Sequence, residues 1–251
     1  MQTNSKLYNF SDFTRKNYRE LLRFAKKNHN FVSFTEFDPN STDILWRHDV
    51  DFSMHAARKL AIIEESEGVK STFFILLHSE FYNLFEIEIH NLVKDIISLG
   101  HDIGLHFYSK YYNIINEVEL IKKLNLEKEF IQDIFNCEIK VFSFHNPEIF
   151  DLNCEKDVYA NMINTYSYNF KNEIAYCSDS NGYWRHQRLE DFLKANLIKP
   201  IQVLTHPEWW SEIEMSPKEK VLRCIDERSK KVYSDYELIL KKHNRQNIDW
   251  L

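Results

Sequence analysis

The sequence predicts a mixed α/β fold, a distorted (β/α) barrel of about seven parallel strands in a single domain, from two observations. First, strand-like runs end repeatedly in ionisable side chains: Ile44-Leu45-Trp46 runs into Arg47-His48-Asp49-Val50-Asp51, Ser71 to Leu77 into His78, Asp102 to Leu105 into His106, Val141 to Phe144 into His145, and Ile201 to Thr205 into His206. Second, the stretches between these runs carry apolar residues at helical spacing. Strand and helix in alternation, joined by short loops, are the mark of parallel strands with right-handed crossovers. In such a fold the carboxyl ends of the strands converge on one face, and that face carries the site. Five of the 11 histidines stand at such ends, too many in register to be read as isolated structural residues.

Taken in order, Ser11 to about Lys27 is an amphipathic helix on Tyr18, Leu21, Leu22, Phe24 and Ala25, capped by Ser11 or Asp12. Phe31 to Phe37 is a short strand or extended segment. The run Ile44 to Trp46 is a strand buried on both faces, rich in β-branched and aromatic residues. Ser53 to about Glu67 is helical, as are Leu84 to Leu99 and Asn116 to Phe135, each leading into the next strand. Gly68 and Gly100 stand where left-handed C-caps are wanted, and Gly104, inside a strand, predicts a close backbone approach or a bulge beside the site. Asn146-Pro147 breaks the chain, and residues 151–170 give no clear period. Glu173 to Cys177 reads as a strand and Arg188 to Ala195 as a short helix. Ser216-Pro217-Lys218-Glu219 is a capping box with proline at the first helical position, opening a helix to about Lys242. The motif core is thus 44–210, with helices 11–27 and 217–242 packed on it.

Composition narrows the function classes. With 43% hydrophobic and 28% charged residues the chain is globular, and a net charge of −6 argues against a general nucleic-acid or anionic-membrane binder. The amino terminus has no apolar signal region and no stretch reaches the about 18 apolar residues of a transmembrane helix, so a cytoplasmic location is expected. Cys137, Cys154, Cys177 and Cys224 show no C-x-x-C spacing, which predicts four reduced thiols. The oligomeric state is not legible.

The chemistry concentrates at the strand ends. Asp49 and Asp51, at i and i+2 on an extended chain, point the same way. Such a pair can divide labour between a cation and a proton, or it can be a solvated turn. Trp46, Trp184, Trp209 and Trp210 flank the motifs, where an indole stacks on a sugar ring or fills the core. Arg47 and Arg185 suit a substrate phosphate or carboxylate, or an ion pair with Asp49 or Asp179.

The ordered set resembles the polysaccharide deacetylase family, metal-dependent enzymes that remove N- or O-acetyl groups from sugars on a distorted (β/α) barrel. Arg47-His48-Asp49-Val50-Asp51 is similar to the first motif of that family, which implies Asp49 as general base and Asp51 as metal ligand. Gly100-His101-Asp102-Ile103-Gly104-Leu105-His106 resembles the second, whose last histidine is a ligand, here His106. Phe144-His145-Asn146-Pro147 falls where the family has Arg-Pro-Pro, and Asp179 to Trp184 near its fourth motif. Leu204-Thr205-His206-Pro207 resembles the closing motif, which implies His206 as general acid.

The chain departs from the family at Lys110, where a second metal histidine is expected. A catalytic zinc wants three protein ligands. His145 is the first choice for the third, with His48 and His78 behind it. The resemblance therefore implies a divalent metal ion, zinc foremost, on Asp51, His106 and His145, with Arg47, His48, Asp179, Trp184, Arg185 and Trp209 around the substrate. The expected partner is a carbohydrate, as a nucleotide-linked or lipid-linked precursor of a surface polysaccharide. Two other readings stand: a hydrolase of another C–N bond, or a non-catalytic glycan binder, which Lys110 would suit.

Overall fold

In the computed structural model, residues 4–184 and 186–248 are described. The helices are α1 (Asn4–Leu7), α2 (Arg15–Ala25), α3 (Met54–Ser66), α4 (Ile87–Ser98), α5 (Glu117–Phe135), α6 (Ile149–Leu152), α7 (Tyr168–Asn172), α8 (Leu189–Ala195) and α9 (Pro217–Lys242). The strands are β1 (Asn30–Phe31), β2 (Asp43–Val50), β3 (Thr72–Leu76), β4 (Asp102–Phe107), β5 (Val141–Phe144), β6 (Val158–Tyr159), β7 (Met162–Asn164), β8 (Ala175–Ser178) and β9 (Ile201–Thr205). They form one curled sheet in the order β6-β7-β5-β4-β3-β2-β9-β8, with β1 beside β2. Every pairing is parallel except β6 with β7. The expected α/β architecture is present, as a half-barrel whose end strands β6 and β8 are not paired to each other.

β2 pairs with three strands, β1, β3 and β9, and all eight of its residues are buried. Helices α3 and α4 cross between β2, β3 and β4 as parallel pairing requires. The turns that deliver them depend on a few backbone conformations. Gly68 and Gly100 end α3 and α4 with φ of 64° and 89°, and Asn136 does the same for α5 at 50°. Gly104 meets the expected close approach: a Cβ there would lie 2.7 Å from the ring of Phe74 on β3.

Three local readings are corrected. The first amphipathic helix is shorter than 11–27, because residues 10–13 form a 3₁₀ turn and Thr14, rather than Ser11 or Asp12, caps α2 through its hydroxyl to Asn17 N. Of residues 31–37 only Phe31 belongs to a strand. The unassigned 151–170 stretch holds the β6–β7 hairpin, which turns tightly because Ala160 and Asn161 both have positive φ. The capping box at Ser216 and Glu219 is formed. The helix it opens packs on the rest through a restricted part of its surface, and Lys220 is its one buried residue. No helix among the described residues is long and apolar enough to cross a membrane.

Candidate metal centre and catalytic cleft

Strand register brings the ionisable residues together. His106 on β4 is opposite Ser143 on β5, so His106 and His145 emerge from neighbouring strand ends two residues apart in register. Asp49 lies in β2 and Asp51 just beyond it, both on the same side as Arg47. His145 Nδ1 is 3.1 Å from His106 Nε2, and Asp51 Oδ1 is 3.2 Å from His106 Nε2 and 3.3 Å from His145 Nδ1. This trio is the one cluster of metal-ligating side chains found among the described residues. Asp51 Oδ1 has no hydrogen-bond partner among the described residues despite those short distances. Burial raises the affinity of Asp51 for a proton, but the imidazoles of His106 and His145, with the charge on His206, outweigh it and hold the carboxyl well below the usual carboxylate range.

These donors fit a divalent ion. Ligands about 2.0–2.1 Å from a tetrahedral zinc lie about 3.3–3.4 Å from one another, close to the three distances found here. Two imidazoles and one carboxylate form a three-ligand set that leaves a position open. Lys110 does not compete for it, since its side chain is exposed and pairs with Glu148 at 3.0 Å. His106 Nδ1 is buried with no partner among the described residues.

Beside this cluster Asp49 is almost fully buried, with Oδ2 accepting from Arg47 at 3.2 Å and from Ser143 at 3.4 Å. Its Oδ1 has no hydrogen-bond partner among the described residues. Across the cleft, His206 Nδ1 donates to Asp179 Oδ1 at 2.5 Å, and the same carboxylate accepts the backbone N–H of His206. His206 Nε2 stands 3.9 Å from Asp51 Oδ2. Burial lowers the imidazole's proton affinity, but Asp179, then Asp51 and Glu208, more than compensate, and the net result is pushed up to about 10. Asp49, Asp51, His106, His145, Asp179 and His206 line one cleft of about 240 Å³, with Phe144, Tyr166 and Leu204 as its apolar walls.

The remaining expected contacts are redistributed. His48 does not reach the cleft: it is fully buried, with Nε2 2.6 Å from Glu64 Oε1 and Nδ1 2.7 Å from the Thr205 hydroxyl. The cause is strand alternation, which turns His48 with Trp46 to the helix side of β2. Trp184 is corrected likewise, since its indole N–H donates to Asp12 at 2.9 Å and its ring stacks on Phe13. Trp209 is buried against Phe52. Arg47 is buried and contacts Asp49 rather than open cleft. Asp179 lines the cleft with its oxygens committed to His206. Arg185 lies outside the described residues. His78 is held by Glu127 at 2.8 Å and stacks on Tyr111, and it is not one of the ligand trio, although it lines a pocket together with Asp51 and His145.

Some neighbours escape sequence reasoning. Asn146 Nδ2 is 2.9 Å from His145 Nε2, a contact that its place in the Phe144-His145-Asn146-Pro147 motif did not assign. His186 lines the cleft from a loop with no pattern. Glu208 is buried with both carboxylate oxygens lacking partners, and burial, then the charge on Asp51, raise its proton affinity well above normal.

No protein-family profile and no curated protein sequence matches this chain. Among solved structures it is similar to a family 4 carbohydrate esterase from Bacillus anthracis, at 15% identity over 85% of this chain and 86% of that one, with a TM-score of 0.43. It is similar to the peptidoglycan deacetylase PdaC from Bacillus subtilis, at 12% identity over 82% of this chain and 99% of that one, TM-score 0.43. It is also similar to a family 4 pseudoenzyme from Bacillus anthracis, at 14% identity, covering 76% of this chain and 63% of that one, TM-score 0.44. At these similarities no activity, ligand or residue role is carried over from them.

Proposed function

We propose that this chain is a metal-dependent hydrolase that removes an acetyl group from the nitrogen, or an oxygen, of a sugar. The observation that carries the reading is the meeting of Asp51, His106 and His145 in one cleft with Asp49 and the His206–Asp179 pair. Asp51, His106 and His145 would hold the divalent ion, zinc foremost, which supplies carbonyl polarisation and a lowered water pKa.

The residues of the chain divide the proton work. Asp49 Oδ1, free of any partner, takes the proton of the attacking water as the new C–O bond forms. Arg47 and Ser143 hold the other oxygen of that carboxylate in place. His206, protonated at neutral pH by virtue of Asp179, gives its Nε2 proton to the leaving nitrogen as the C–N bond breaks. Asp179 fixes the ring with Nδ1–H inward, so Nε2 faces the cleft.

Four free thiols suit a reducing compartment, and there the acetylated sugar is a nucleotide-linked or lipid-linked precursor of a surface polysaccharide rather than mature polymer. One observation favours a second reading, a hydrolase of another C–N bond such as a formamide: none of the described tryptophans lines the cleft. Acetate and formate release by the metal-loaded protein, measured on N-acetyl and O-acetyl sugars, nucleotide-linked sugars and formamides, tests both. Turnover confined to acetylated sugars supports the first reading, turnover of formamides alone the second, and no turnover of any of them sinks both.

A further inference from the structure

Helix α9 is amphipathic the wrong way round for a helix on a globular surface. Such a helix normally turns its apolar stripe to the core. Here the side facing the rest of the chain is mostly polar: Val221 packs against the core, but Lys220 donates to the Trp209 carbonyl, Arg228 pairs with Glu86, and Lys231 pairs with Glu88 at 3.0 Å. Cys224 and Glu227 line the same side. The stripe Leu222, Ile225, Ser229, Val232, Tyr236 and Ile239 turns outward, and its apolar members are 53%, 49%, 53%, 48% and 56% exposed. The steps alternate three and four residues without a break, the spacing of a two-helix seam.

We propose that this stripe is a dimer seam, and that its occupant is the α9 of a second copy running antiparallel. The choice of occupant rests on self-complementarity. About a two-fold axis near residues 230 and 231, Leu222 falls opposite Ile239 of the second copy, Ile225 opposite Tyr236, and Ser229 opposite Val232, so each layer sets a larger side chain against a smaller one or two of similar size. The flanks agree in charge: Arg228 lies beside Asp235 of the second copy, and Asp226 beside Tyr233, each twice by symmetry. Arg228 has donors left over from Glu86 for that contact. A parallel pair would stack Ser229 on Ser229 and Tyr236 on Tyr236, and would set Arg228 beside Tyr233 and Asp235 beside Leu240, with no opposite charges meeting. The seam is about 27 Å long at 1.5 Å per residue.

The test is the mass of the full chain in solution by sedimentation equilibrium over a wide concentration range, with two variants. Wild type is expected as a concentration-dependent dimer. Ile225→Glu with Val232→Glu is expected as a monomer with unchanged circular dichroism, because neither side chain is buried within one chain. Ser229→Cys with Val232→Cys is expected to give a covalent dimer on mild oxidation, and Ser229→Cys alone is not. A wild type that is monomeric throughout overturns the proposal, as does a dimer that survives the two glutamates. A monomer that sediments with anionic phosphatidylserine vesicles through the same stripe also overturns it, in favour of a membrane surface.

Discussion

His145 Nδ1 and His106 Nε2 face one another at 3.1 Å, with Asp51 Oδ1 within 3.3 Å of both. Two imidazole nitrogens that close cannot both direct a proton at each other, and lone pairs pointed at one spot are what a cation collects. This relationship gives Lys110 its place in the account. The chain lacks a histidine four residues after His106, and a histidine from the next strand stands in the cluster instead.

Asp49→Asn should lower kcat by about 10²- to 10⁴-fold, the usual worth of a positioned general base. Metal content should stay at the wild-type value, because the ligand trio does not include Asp49. Steady-state kinetics beside elemental analysis checks both; loss of metal in this variant would reassign Asp49 as a ligand.

Asp179→Asn should move the alkaline limb of kcat/KM down by about one pH unit or more. The imidazole of His206 is pushed up to about 10, above its unfolded value of about 6.5. The bound proton therefore stabilises the fold fully below about 6.5, and that contribution is lost as pH rises through about 10. Removing the Asp179 charge lets the proton leave earlier. A pH profile of turnover shows it, and an unmoved alkaline limb would rule out His206 as the acid.

Glu64→Gln should cost about 3–5 kcal/mol of stability at neutral pH, read by urea unfolding. Fully buried, Glu64 accepts from Ser71 at 2.5 Å and from Tyr18, and it faces His48 at 2.6 Å. Burial pushes its carboxyl up, but the charge and hydrogen bond of His48, then His101 and Ser71, bring it below normal. A depressed carboxyl stabilises above its unfolded pKa of about 4.3 and loses that contribution as pH falls through the folded value. The gap between wild type and variant should therefore narrow in acid; a gap independent of pH would mean the carboxylate charge is not what matters.

Gly104→Ala should destabilise by about 1–3 kcal/mol, an overpacking cost. The added Cβ would sit 2.7 Å from two atoms of the fully buried Phe74 ring. Phe74→Leu in the same chain should recover part of the loss, and thermal melts of the single and double variants measure it.

The strand ends were legible because an apolar run that stops at a histidine or aspartate is visible in one dimension. Which of them meet was not, since that depends on the register of β4 against β5. The parity that put Asp49 and Asp51 on one side also turns His48 away, so its burial beside Glu64 was available from the same alternation. The tryptophans misled because closeness in sequence to a motif does not say which face a ring takes: Trp184 and Trp209 both joined the core. Glu208, Ser143 and Asn146 carry no pattern of their own and emerge only from packing.

The most direct test of the centre is the metal content of purified protein by elemental analysis, for wild type, His145→Ala and Lys110→Ala. About one divalent ion per chain is expected in wild type and in Lys110→Ala, and loss of that ion in His145→Ala. An ion retained in full by His145→Ala, or no ion in wild type after reconstitution, would contradict it.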